Sequence, residues 1–158
     1  MPSREHAADL ERVLSRAAQE CESRRGIWFG TGLAQALRVA IEAHGRVAAA
    51  RTPEIAFLEV SAVSAQGRAI TDSPPPSPGC PVVGLSAATL DDLGTLLRPR
   101  DNAGVQIIRL ICPVAVFDFS PAGVRIREVR HGLTAADIQR RLSIPLWSGP
   151  DLKELGAH

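Results

Sequence analysis

No stretch of this chain approaches the ~18 uninterrupted apolar residues of a membrane span. Its first turn of sequence carries Arg4, Glu5, Asp9 and Glu11, with no apolar core of a secretory signal. The expectation is a cytoplasmic protein with no membrane partner. Cysteine is scarce: Cys21, Cys80 and Cys112 are odd in number, widely spaced, and form no Cys-x-x-Cys pair. That excludes a disulfide framework and a zinc site. Cys21 and Cys112 lie in apolar patterns and read as small buried hydrophobes. A reactive Cys80 would need a nearby base that the sequence does not reveal. His6, His44, His131 and His158 lack metal-ligand spacing, so no metal is expected. An excess of either charge is missing too. The net charge of +1 gives no electrostatic reason to expect nucleic acid. Internal repeats are absent, which excludes a solenoid.

What is present suits one globular domain over residues 1–158, with 45% hydrophobic and 22% charged residues. Residues 5–21 place Ala7, Leu10, Val13, Leu14, Ala17, Ala18 and Cys21 on one face of an amphipathic helix. Residues 27–29 read as a short buried strand, and Gly30-Thr31-Gly32 as a turn. A second helix follows over 33–43, closed by His44-Gly45. Residues 55–60 are apolar on both faces until Glu59, the pattern of a strand covered on each side. Residues 66–80 hold four prolines and three glycines-or-aspartates at turns, and read as an irregular loop. Strands are expected at 81–85, 105–111, 114–119 and 124–129, the last two joined by the Ser120-Pro121-Ala122-Gly123 turn. Asp91-Asp92-Leu93-Gly94 reads as a turn, and Thr134 with Asp137 as the capping box of a helix over 135–142.

This alternation predicts an α/β domain: a largely parallel sheet flanked by helices, with a C-terminal antiparallel hairpin. Ligands of such sheets bind beyond the carboxyl ends of the strands, where helices begin. Gly30-Thr31-Gly32 occupies such a place. Its glycines would let a ligand approach the backbone, and helix-start N–H groups would bind an anion. A tight strand-to-helix turn with no ligand explains the same residues. Gly84-Leu85-Ser86-Ala87-Ala88 lacks the second glycine of a nucleophile elbow, which disfavours a serine hydrolase. Trp28 and Trp147 read as core or interface. Arg24-Arg25 and Arg140-Arg141 read as solvated faces, or as holders of phosphate groups.

The order of several segments resembles the β subunit of class I coenzyme A transferases, in its glutaconate CoA-transferase-like form and shortened in the middle. Gly30-Thr31-Gly32-Leu33 is similar to that family's turn, and Thr52-Pro53-Glu54 to its lead into the catalytic strand. Pro81-Val82-Val83-Gly84 and Leu90-Asp91-Asp92-Leu93-Gly94 resemble a later strand and turn, with Thr95 in place of asparagine. Ala115-Val116-Phe117-Asp118-Phe119 through Glu128-Val129 is the best match. His131-Gly132-Leu133-Thr134 stands where the family has Pro-Gly-Val-Thr.

The resemblance implies an acyl-CoA substrate, an α-type partner subunit, and a glutamate nucleophile forming an acyl anhydride and then a glutamyl-CoA. It implies no permanently bound cofactor, since coenzyme A belongs to the substrate. Glu59 is the implied catalytic residue, and Gly30, Thr31, Gly32 and Ser61 the implied substrate-binding residues. Two departures keep other readings open. The glycine-rich stretch before the family's closing hairpin is absent. An ungapped match from Pro53 also puts Val60 at the nucleophile's position, with Glu59 one residue early. A one-residue offset turns a strand side chain to the other face, unless a bulge restores its aim. An acyl-CoA decarboxylase or hydrolase without a covalent intermediate is therefore one alternative. A non-catalytic stabilising or regulatory subunit is another.

Overall fold

A computed structural model describes residues 4–22, 24, 26–43, 53–73, 79–99 and 104–155, and apolar runs and turn residues divide these described residues into eleven strands and four α-helices around one sheet. Helix α1 spans Arg4–Cys21, β1 Ile27–Phe29 and α2 Leu33–Ala43. Then come β2 (Ile55–Ser64), β3 (Arg68–Thr71) and β4 (Val82–Leu85). A 3-10 turn at Leu90–Asp92 runs into α3 (Leu93–Leu96) and β5 (Leu97–Arg98). The chain continues through β6 (Val105–Gln106), β7 (Arg109–Ile111), β8 (Ala115–Ser120) and β9 (Gly123–Arg130). It ends with α4 (Ala135–Arg140), β10 (Leu146–Trp147) and β11 (Lys153–Leu155). The expected His44-Gly45 helix stop lies outside the described residues, as do Thr52 and residues 74–78.

The sheet runs β10-β9-β8-β7-β4-β2-β3-β6, with β1 and β5 also paired to β2 and β11 to β9. The expected parallel trio is present: β1 and β4 both pair β2 in parallel. The expected hairpin is present as the antiparallel β8–β9 ladder. The sheet as a whole, however, is mixed and not largely parallel. Short connections are the reason, because a tight turn can join only antiparallel neighbours. Ala65-Gln66-Gly67, with Gly67 at φ +82°, turns β2 straight back into β3. Cys112-Pro113-Val114 turns β7 back into β8.

Three further expectations are corrected. Residues 68–71, read as loop, form β3. The apolar run 105–111 is two strands, because the chain changes neighbours midway. The Ile107 N–H donates to the Gly67 carbonyl at 2.8 Å, whereas the next N–H, of Ile108, donates to Val82 of β4 at 2.9 Å. The turn expected at 91–94 is helical. The capping box is formed as read: Asp137 N–H donates to Thr134 Oγ1 at 3.1 Å and Thr134 N–H to Asp137 Oδ2 at 2.9 Å. These bonds, those to the Thr134 backbone foremost, hold the Asp137 carboxyl below the usual carboxylate range.

Both faces of the sheet are covered. On one, Val13, Ala17 and Cys21 of α1 and Leu33, Ala34, Leu37 and Ile41 of α2 pack on Ile55, Phe57, Val83, Leu85 and Val116. On the other, Leu58 and Val60 join Leu93, Leu96, Phe117, Ile126, Ile138 and Leu142. Alternate side chains of β2 thus enter different cores, which is why the strand reads as apolar throughout. Helix α1 is also tied to the sheet by charge. Arg16 forks onto Glu128 at 2.7–2.9 Å, while Arg109 bonds Glu20 and, at 2.6 Å, Asp118. No described helix is long and apolar enough to cross a membrane.

Candidate active site

β2 changes neighbours halfway along one edge. β4 lies along the opposite edge at Ala56–Glu59. On the first edge β1 pairs residues 55–57, then leaves through Gly30-Thr31-Gly32 into α2, and β3 takes over at residues 60–63. Leu58 and Glu59 therefore face the split where one partner departs and the next arrives. Crevices of this kind, at the carboxyl ends of parallel strands, are where α/β sheets bind ligands.

Each glycine of the turn is needed for a different contact. A Cβ on Gly30 would meet Leu58 Cδ2 and Ser73 Oγ at 2.9 Å each, well inside van der Waals contact. Gly32 has φ +65°, and a Cβ there would overlap Oε2 of Glu59 and approach its Cδ to 2.9 Å. The Glu59 carboxylate thus lies directly on Gly32 at the start of α2. Among the described residues it makes no hydrogen bond and no ion pair.

Hydroxyl groups hold the surroundings. The Gly30 N–H donates to the Phe57 carbonyl at 2.9 Å. The Thr31 N–H donates to Ser73 Oγ at 3.0 Å, and the two hydroxyls share a further 3.0 Å bond. Thr71 Oγ1 donates to the Glu59 carbonyl at 2.8 Å and accepts from the Ser73 N–H at 3.3 Å. The result is a cleft of about 200 Å³ lined by Thr31, Glu59, Val60, Ser61, Thr71, Asp72, Ser86 and Ala87.

Thr31, Glu59 and Ser61 are thus brought together, with Gly32 beneath the carboxylate and Gly30 buried behind the turn. The one-residue offset at Glu59 does not turn it away. Glu59 lies on the α2 side of the sheet with Phe57, while Val60 is 4% exposed in the opposite core and packs on Gly84. A bulge follows Glu59: Val60 pairs Thr71 and Ala62 pairs Ile70, leaving Ser61 unopposed and exposed at the cleft. Five lining residues, Val60, Thr71, Asp72, Ser86 and Ala87, were not among the expected site residues. Ser86 could have been found, since it is the first residue past the carboxyl end of β4. Thr71, Asp72 and, behind them, Ser73 could not, because β3 and the residues that follow it lie in a stretch that reads as loop.

Other candidates are placed elsewhere. Cys80 is half-buried, its Sγ donating to the Pro53 and Pro81 carbonyls at 3.6 Å, and burial raises its pKa. Cys112 is fully buried, which pushes its thiol up to about 11. Neither is an activated thiol. Arg140 and Arg141 pair with Asp137 and Asp91. Trp28 is half-buried against the core, and Trp147, 43% exposed, lies under the Arg125 guanidinium at 4.8 Å. Among the described residues no group of three or more His, Cys, Asp or Glu side chains is placed to hold a metal ion.

No protein-family model matches the chain, and no curated protein matches it. Solved structures do. The decarboxylase AibA/AibB superposes with a TM-score of 0.70 at 16% identity, covering 94% of this chain and 89% of that one. The acyl-CoA transferase YdiF of Escherichia coli O157:H7 gives 0.66 at 12% identity, over 90% of this chain and 42% of the longer one. IpdAB of Rhodococcus jostii RHA1 gives 0.64 at 11% identity, over 94% and 88%. All three are proteins of the CoA-transferase fold, and this chain has that fold.

Proposed function

We propose that this chain is the β-type subunit of a CoA-transferase-like enzyme, acting on an acyl-CoA thioester together with an α-type partner. One observation carries the reading. At the split beside β2, the carboxylate of Glu59 rests on Gly32 without a hydrogen-bonding or ionic partner among the described residues. An exposed carboxylate needs no partner for its stability, so it is the placement of this one that supports the reading. One with free lone pairs at a strand's carboxyl end, beside a helix start, is available to attack.

The chemistry follows from that placement. A Glu59 oxygen adds to the thioester carbonyl carbon, and the oxyanion formed is met by N–H groups of the first turn of α2, which have no intrahelical partner. The C–S bond breaks, CoA leaves as its thiolate, and an acyl–glutamyl anhydride remains. The thiolate then adds to the glutamyl carbonyl and expels the acyl group as a carboxylate, leaving glutamyl-CoA. An incoming carboxylate reverses these steps. Coenzyme A is part of the substrate throughout. Splitting the exchange in two replaces one high barrier with two lower ones. YdiF, which shares this fold, has been crystallised as a thioester complex with CoA.

A second reading has its own support. The AibA/AibB decarboxylase matches this chain over nearly the whole of both. In that reading the same cleft binds an acyl-CoA for decarboxylation or hydrolysis, with no covalent step at Glu59. Trapping separates the two. The chain assembled with its α-type partner and incubated with acyl-CoA is expected to carry CoA as a thioester on the peptide containing Glu59. Glu59→Ala is expected to abolish exchange with the fold intact. Glu59→Asp is expected to lose ~100-fold, because retreat by one methylene misplaces the attacking oxygen by about 1 Å. Turnover with no adduct, undiminished in Glu59→Ala, would leave only the non-covalent reading.

A further inference from the structure

Along the edge of β2 the gap between β1 and β3 is bridged by two hydroxyl side chains and not by a backbone ladder. Thr71, at the end of β3, donates its Oγ1 hydrogen to the carbonyl of Glu59 itself at 2.8 Å. The same oxygen accepts the Ser73 N–H at 3.3 Å, which fixes where Ser73 sits. Ser73 is 7% exposed, and its Oγ takes the Thr31 N–H and shares a bond with the Thr31 hydroxyl. Gly30 has no side chain to keep Ser73 away, since a Cβ there would stand 2.9 Å from that Oγ. One continuous path thus runs from the backbone of Glu59, through Thr71 and Ser73, to the turn whose Gly32 lies under the Glu59 carboxylate.

We infer that Thr71 and Ser73 are positioning residues for Glu59. The hydroxyl of Thr71 anchors the strand end that carries the side chain. Ser73 anchors the turn on which the carboxylate rests. Either anchor alone would leave the other surface free to drift; joined through the Ser73 N–H, they fix the distance between strand and turn. This matters because rigid support decides how well a reacting group is aimed, and misplacement by about 1 Å can cost ~100-fold. The inference rests on the reading of Glu59 as the reacting group, and it concerns residues that the family resemblance does not single out.

The test has two arms. In the full chain labelled with 13C at glutamate carboxyls, the Glu59 resonance is identified by its loss in Glu59→Gln and followed through a pH titration. Thr71→Val keeps the shape of threonine and removes the hydroxyl; Ser73→Ala removes the other. Both are expected to move the Glu59 resonance and its midpoint, and Thr71→Ser, which restores the hydroxyl, is expected to return them to the wild-type values. In the second arm the chain is assembled with its α-type partner and given acetyl-CoA. Adduct formation on the Glu59 peptide is expected to fall ~100-fold in Thr71→Val and to recover in Thr71→Ser. Where wild type forms the adduct, an unchanged rate in Thr71→Val overturns the positioning role whatever the resonance does. Where wild type forms none, the nucleophile reading is not supported for that probe, and the resonance decides alone: unchanged in both variants, it overturns the positioning role.

Discussion

Gly32 carries two constraints that a single methyl group would violate together. Its φ of +65° is left-handed, and its missing Cβ is the space that Oε2 of Glu59 occupies. An alanine there suffers the left-handed backbone strain, about 1–2 kcal/mol. It must also push the carboxylate out of its seat. Gly32→Ala is therefore expected to lower the unfolding free energy and to abolish adduct formation at Glu59. A cycle with Glu59→Ala separates the causes, because the truncated side chain no longer collides while the backbone strain persists. Urea unfolding of the four proteins measures it. A Gly32→Ala penalty that vanishes in the Glu59→Ala background would assign all of it to the collision, and one that is unchanged would assign all of it to the backbone. Val60 makes the complementary point. It is the residue that a position-by-position match offers as nucleophile, yet it fills the opposite core against Gly84.

Between elements, the ties of α1 to the sheet differ in kind from an ion pair within the exposed face of α2. Arg16 and Glu128 are 11% and 13% exposed, and Arg16 also bonds Glu20 at 3.0 Å. Removing one partner of so enclosed a group leaves the others' charges poorly solvated. Arg16→Ala is expected to cost about 3 kcal/mol. Arg38 and Glu42 form an i,i+4 pair at 46% and 49% exposure, and Arg38→Ala is expected to cost no more than about 0.5 kcal/mol. Chemical denaturation of the two variants tests the contrast, and equal losses would refute it. Which elements are legible in the sequence follows from similar physics. α1, α2 and the β8–β9 hairpin announce themselves because periodicity or turn chemistry lies within each segment. The Thr134–Asp137 capping box is legible for the same reason: both partners lie within four residues. β3 is not, since its pairing depends on the bulge at Ser61 in a different strand. Nor is the break at Ile107, where one apolar run serves two neighbours. The short β10 and β11 exist only through β9. The candidate site divides the same way. Gly30, Gly32, Glu59 and Ser61 lie in segments with their own signal, whereas Thr71 and Ser73 reach the cleft only through β3.

For the whole molecule, this chain's share of its structural neighbours varies. It spans 89% of the AibA/AibB chain it matches, but only 42% of YdiF. Within the proposed function, an α-type partner completes the site. The cleft agrees with that, since Glu59 and Ser61 on its wall are exposed to solvent in the isolated chain. So are several large apolar side chains: Val39 at 58%, Ile108 at 45% and Ile70, next to Thr71 of the cleft, at 39%. A partner that binds the folded chain and not the unfolded one stabilises it by about 2.7 kcal/mol when present at a hundredfold excess over its Kd. Mixing the chain with its α-type partner is therefore expected to raise its melting temperature and to give a heteromeric species in sedimentation velocity. Acyl-CoA turnover is expected only in the mixture. Turnover by the chain alone, at concentrations where it sediments as a monomer, would show that the site is complete without a partner and would remove the subunit reading while leaving the role of Glu59 intact.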